Sequence, residues 1–182
     1  MRWDDLFADL EVDAAGLEQR DRDAEIADRT RAELGRIALI DRCRAAAGYE
    51  LQVRVHGFGV VTGTLRRATS AWLLLEAAGG VDWLVAGSAV VGIIGLPTAS
   101  RAPDNVSHVE ARAGWGSALR VLARDRASVV VHRLDATSVS GVAQRVGADF
   151  VELRRYADEA RTSSGFEAVP YTAIAAILIR AS

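Results

Sequence analysis

From residue 51 onward the apolar residues recur at every second position. In "LQVRVH" (51–56), Leu51, Val53 and Val55 alternate with Gln52, Arg54 and His56. A period of two puts one set on each face of a β-strand. "VVTGTLRR" and "WLLLEAA" continue as a hairpin, "GGVDWLVAG" adds a turn and a strand, and "AVVGIIGL" a last short strand before Pro97. Five short strands within about 47 residues must bend strongly, because open edges need closing. The pattern then returns. "GTLRRATSAWLLLE" (63–76) is echoed by "GVAQRVGADFVELR" (141–154), aligning Gly63 with Gly141, Trp72 with Phe150 and Leu75 with Leu153 at an offset of 78. Further on, Val85 aligns with Val169, Val90 with Ile174 and Ile93 with Ile177 at an offset of 84, while His56 aligns with His132 at 76. The length differences fall in turns, where a repeated unit tolerates them. Two small five-stranded units in tandem are therefore expected.

Each unit is preceded by a helical stretch. "RWDDLFADLE" places Trp3, Leu6, Phe7 and Leu10 on one face of a short helix, a candidate partner-binding stripe. From Leu17 to Ala47 the chain favours helix, and ten of the sixteen residues from Glu18 to Glu33 are charged, as on a solvated helix. Leu34, Ile37, Ile40 or Leu39, and Cys43 strengthen its apolar face, and Gly48 suits a C-cap. "GWGSALRVLARDRAS" (114–128) predicts a second helix with Leu119 and Leu122 inward and Ser117 as N-cap. The expected organisation is a helical segment over 1–48, a first barrel over 49–97, a linker over 98–113, and a helix with the second barrel over 114–182; "PTASRAPDNVS" (97–107), which marks the linker, holds two of the three prolines.

Half of the 182 residues are hydrophobic, enough for a packed core. A lone barrel of about 60 residues buries only ~60% of its unfolded surface, so two gain by packing together. The net charge is −2, and all 22 basic residues are Arg. Charge is uneven: −4 over 1–46, zero over 47–106 and +2 over 107–182. No stretch is an electrostatic footprint for duplex DNA. Cys43 is the single cysteine, which excludes an internal disulfide and a multi-cysteine zinc site. The longest charge-free apolar stretch, Trp83 to Pro97, has 15 residues and three glycines, short of the ~20 a membrane helix needs. With no signal-peptide pattern at the start, a soluble cytoplasmic chain is expected.

Candidate chemistry is sparse. "GFGVVTG" (57–63) precedes a strand, whereas phosphate-binding glycine loops precede a helix, so it reads as a hairpin turn. His56 and His132 fall at equivalent outward positions as surface or rim histidines, and no ligand cluster accompanies them. No serine sits in a nucleophile elbow. Neither enzyme, metal nor cofactor is expected. Arg66, Arg67, Arg154 and Arg155 mark matching strand edges, and Tyr156 adds a ring able to stack on a base.

A helix followed by five short strands, with Gly63 early in the second, resembles the Sm-like family of small barrels and the C-terminal barrel of ribosome maturation factors. "VTGTLRRATSAWLLLE" is similar to the first Sm motif and "LVAGSAVVGI" (84–93) to the second, through Gly63, Leu65, Leu73, Leu75, Gly87, Val90 and Ile93. From "MRWDDLFADLE" onward, the chain also resembles an uncharacterised family of GC-rich Gram-positive bacteria. The resemblance implies tandem Sm/SH3-like barrels whose strand edges pair with partners or with further copies. Sm-like RNA binders carry an Asp or His followed by Asn in the turn after strand two, and Arg before the second-motif Gly. Here that turn is "RATSA" (67–71), Ala86 precedes Gly87, and the second copy has Pro170 and Tyr171. The expected function is a non-enzymatic interaction and assembly module acting through barrel edges. The alternative is RNA binding linked to translation or RNA metabolism.

Overall fold

A computed structural model describes residues 25, 31, 32, 34–100, 113–156 and 165–180. The Trp3, Leu6, Phe7 and Leu10 stripe lies outside these residues, as does most of the 98–113 segment. The chain divides into two compact units, Met1–Ala38 and Leu39–Ser182. In the first, the Gly35 and Ile37 N–H groups donate to the Arg31 and Leu34 carbonyls at 3.0 and 3.2 Å. The expected long helix is broken over residues 35–38, beside the helix-weakening Gly35.

The second unit holds α1 (Leu39–Ala45), β1 (Glu50–Val55), β2 (Gly59–Ala68), β3 (Trp72–Ala77), β4 (Val81–Ala86) and β5 (Val90–Ile94). It continues with α2 (Trp115–Arg124), β6 (Ser128–Arg133), β7 (Ser138–Val146), β8 (Phe150–Arg155), β9 (Phe166–Pro170) and β10 (Ile174–Arg180). The expected turns are present. Gly48, at φ +90°, lies in the turn after α1, which ends at Ala45, but it does not cap the helix: its N–H donates to the Leu65 carbonyl of β2 at 2.7 Å. Gly57 and Gly59, at φ +72° and +121°, make the β1–β2 turn. Ser117 is not the cap of α2: the N-cap is Gly114, and the Ser117 hydroxyl donates to its carbonyl at 2.7 Å. The segment "FEAVPYTAIAAILI" is two strands, divided by a 3-10 turn at Tyr171–Ala173.

The expectation of two tandem five-stranded barrels is overturned. The ten strands form one antiparallel sheet, not closed, in the order β5-β1-β2-β3-β4-β10-β6-β7-β8-β9. The physical reason lies at its centre. β10 pairs with β6 on one side and with β4 on the other, Ile177 standing opposite both Val131 and Leu84. The last strand thus joins the first five strands to the second five. Ile174, Ala175, Ala176 and Ile177 are all buried, as expected of a strand covered on both faces.

Strand order within each five is the same, fifth-first-second-third-fourth. Each five also has a 3-10 turn between its fourth and fifth strands, at Gly87–Ala89 and Tyr171–Ala173. Bulges insert Arg66 into β2 and Gln144 into β7, adding local bend and twist. The inward residues Leu51, Val53 and Val55 are buried, with Gln52, Arg54 and His56 exposed, as the alternation predicts. Leu119 and Leu122 of α2 join the same core. Among the described residues no helix is long and apolar enough to cross a membrane.

Candidate functional site

The sequence-predicted arginines do not form one patch. Arg66 and Arg67 lie on β2, the second strand of the first five, and Arg154 and Arg155 on β8, the third of the second, so the edges do not match, and five strands stand between them in the sheet. Arg66 sits at the bulge and its guanidinium donates to the Glu76 carboxylate. Arg155 lies 3.5 Å from Glu167, which also accepts from Arg133. Two of the four candidates therefore face carboxylates, which compete with a phosphate for the same donors. Arg67 and Arg154 are exposed. The Tyr156 hydroxyl donates to the Ser128 hydroxyl at 3.0 Å, which ties the ring's polar end to the start of β6.

The two histidines have different surroundings. His56 is exposed. His132 is half-buried on β6, in a ring cluster with Phe58 of the β1–β2 turn and Trp83 of β4. The Phe58–His132 and Phe58–Trp83 centroid distances are 4.5 and 5.0 Å. The rings span the β4–β10 seam, so His132 is a packing residue and not a plain rim histidine. Gly57 allows this approach, because a Cβ there would lie 2.5 Å from the Leu134 carbonyl oxygen. Sequence reading missed this cluster. The signal was an aromatic, Phe58, at the tip of a hairpin turn, where polar residues are usual.

Burial among the rings holds the His132 imidazole below its ordinary value. The unfolded chain therefore binds more protons in mild acid than the folded one. The stability linked to His132 is complete above about pH 6.5 and is lost as pH falls through the depressed value. Urea unfolding between pH 7.5 and 5 is expected to show this loss, and His132→Phe, which keeps a ring in the cluster, to flatten it. An unchanged profile in the variant would refute the assignment.

No group of three or more His, Cys, Asp or Glu side chains able to hold a metal occurs among the described residues. Burial also pushes the Cys43 thiol above its ordinary value, with Arg42 and Arg44 opposing, which disfavours the reactive thiolate.

The two ends of the sheet are the remaining candidates. β5 and β9 have no strand on their outer sides among the described residues. β5 reads VVGII, without a charge, and Val91 and Ile94 are each 64% exposed. Beside it Gln52, Arg54 and Val60 complete a groove of about 360 Å³. On β9, Phe166 is 66% exposed, while Pro170 ends the strand. An uncharged, apolar strand edge is a template for pairing with another chain.

In comparisons with protein-family models and with curated proteins, the chain matches none.

Proposed function

We propose that this protein is a non-enzymatic assembly module that joins copies of itself through the two open ends of its sheet. The observation that carries the reading is the β5 edge, uncharged and with Val91 and Ile94 largely exposed. The seam inside the chain supports it further. There the fourth strand of the first five pairs with the fifth strand of the second. The strands left open at the ends are the fifth of the first five and the fourth of the second, the same two kinds. Carrying the Ile177–Leu84 and Leu178–Trp83 register across the offset of 84 puts Ile93 opposite Ala168 and Ile94 opposite Glu167 of a second copy. Such a contact is head-to-tail, and it propagates to a ring or a filament. RNA binding draws less support, because Arg66 and Arg155 lie against Glu76 and Glu167.

Light scattering across a wide concentration range tests the reading. Self-association is expected in the native protein. Val91→Lys with Ile94→Lys, which places charge on the edge, is expected to leave a folded monomer. A native protein that stays monomeric at every concentration refutes the proposal.

A further inference from the structure

The two open ends of the sheet carry opposite charges where the seam carries rings. Strand register identifies the counterparts. Arg54 pairs with Val60 and Gly92 as His132 pairs with Ser138 and Ala176. Arg54, and not His56, therefore stands on β1 where His132 stands on β6. Trp83 pairs with Leu75 as Glu167 pairs with Leu153, so Glu167 stands on β9 where Trp83 stands on β4.

At the seam these two positions meet. Trp83 lies opposite Leu178, Leu178 opposite Val130, and His132 follows Val130 by two residues. Residues opposite each other or two apart share a face of the sheet, and the Trp83 and His132 ring centroids are 5.7 Å apart. A contact between copies in the seam's register repeats this row. Glu167 of one copy lies opposite Ile94 of the next, Ile94 opposite Gln52, and Arg54 follows Gln52 by two. A carboxylate and a guanidinium, both on long side chains, then occupy the places where two rings meet. Both places differ from the seam together, and with opposite sign.

Each group is set for the meeting. Arg54 is exposed and is the one charged residue lining the groove beside β5. Its side chain has no hydrogen bond or ion pair among the described residues. Glu167 is held in place by Arg133, which donates to it, and by Arg155 at 3.5 Å. Asp135 lies beside Arg133, so these two cations and two carboxylates balance. A carboxylate has about four lone-pair sites, and two arginines leave room for a third donor.

We infer that Arg54 of one copy and Glu167 of the next form an ion pair across the β5–β9 contact, and that this pair selects the contact over pairing of like ends. The inference rests on the edge-pairing reading and adds what directs it. Apolar contact through Val91 and Ile94 does not choose a partner strand, whereas charge complementarity does. β5 against β5 would gather two Arg54 groups without Glu167, and β9 against β9 the reverse. Unmatched charges count against both.

The test uses the full chain, with dissociation constants from sedimentation velocity at roughly 0.05 M and 0.5 M salt, the second of which shortens the screening length to about 4 Å. Arg54→Gln is expected to weaken association about fivefold at low salt and to lose most of the native salt dependence. Arg54→Glu is expected to weaken it roughly tenfold or more, and Glu167→Arg added to it to restore most of that loss. Glu167→Arg also removes the partner of Arg133, so circular dichroism checks its fold. If the double variant does not fold, the salt comparison of native protein and Arg54→Gln decides. Native-like association of Arg54→Gln, or a salt dependence equal to the native one, overturns this inference and leaves edge pairing standing. Association that survives Val91→Lys with Ile94→Lys, or a native protein monomeric at every concentration, overturns edge pairing and this inference with it.

Discussion

Gly141→Ala is expected to destabilise the protein by about 3 kcal/mol, as overpacking against backbone does. A Cβ at Gly141 would lie 2.4 Å from the Arg154 carbonyl oxygen and 3.0 Å from its carbon. The neighbour is backbone, held by the β7–β8 ladder, in which Gly141 pairs with Arg155 and Val142 with Arg154. It cannot swing aside as a side chain would. Gly63 occupies the matching place on β2, where a Cβ would lie 2.6 Å from the Glu76 carbonyl oxygen, and Gly63→Ala is expected to cost a similar amount. Gly92 is the control: a Cβ there meets nothing within 4 Å, so Gly92→Ala should stay within about 0.5 kcal/mol of the native protein. Urea unfolding midpoints at fixed slope measure all three. Equal midpoints for Gly141→Ala and Gly92→Ala would show that the strands do not approach as closely as described. The total stability of a domain is only about 5–15 kcal/mol, so the double variant Gly63→Ala, Gly141→Ala is expected to be largely unfolded.

Ile177→Ala is expected to cost about 2–5 kcal/mol, the range for truncating a fully buried aliphatic side chain. The consequence for cooperativity is more specific than the magnitude. Ile177 is buried in β10, between Leu84 of the first five strands and Val131 of the second. Weakening that strand weakens both ladders it shares. The native protein and the variant are therefore expected to lose the two halves in one transition. Unfolding followed by tryptophan fluorescence, whose emitters besides Trp3 are Trp72 and Trp83 in the first half and Trp115 beside the second, should coincide with far-ultraviolet circular dichroism. Two separated transitions, with only one moved by Ile177→Ala, would show that the seam does not couple the halves.

The local structure from Leu51 onward was legible because side chains encode it. Alternation told which residues of β1 face inward, and glycines marked the β1–β2 turn. The offset of 78 aligned Gly63 with Gly141, two residues that share a steric role against the next strand. The candidate site was less legible. Arg66 and Arg155 looked like unattached cations, but their carboxylate partners lie 10 and 12 residues away in sequence. Opposite charges at that spacing meet only once the strand register is known. His132 looked like a rim residue because its neighbours Phe58 and Trp83 come from the other half of the sheet.

The sequence by itself determined the strands, their inward faces and the turns between them. Each follows from side-chain polarity or from the freedom of glycine, both properties of single residues. Only the tertiary structure decided that the ten strands make one open sheet. Strand edges pair through backbone N–H and C=O groups, which every residue but proline carries alike. Nothing in the side-chain pattern of β10 states which edge it will take. It is the position of that strand, hydrogen-bonded to β6 and to β4 at once, that joins the halves and leaves β5 and β9 at the ends.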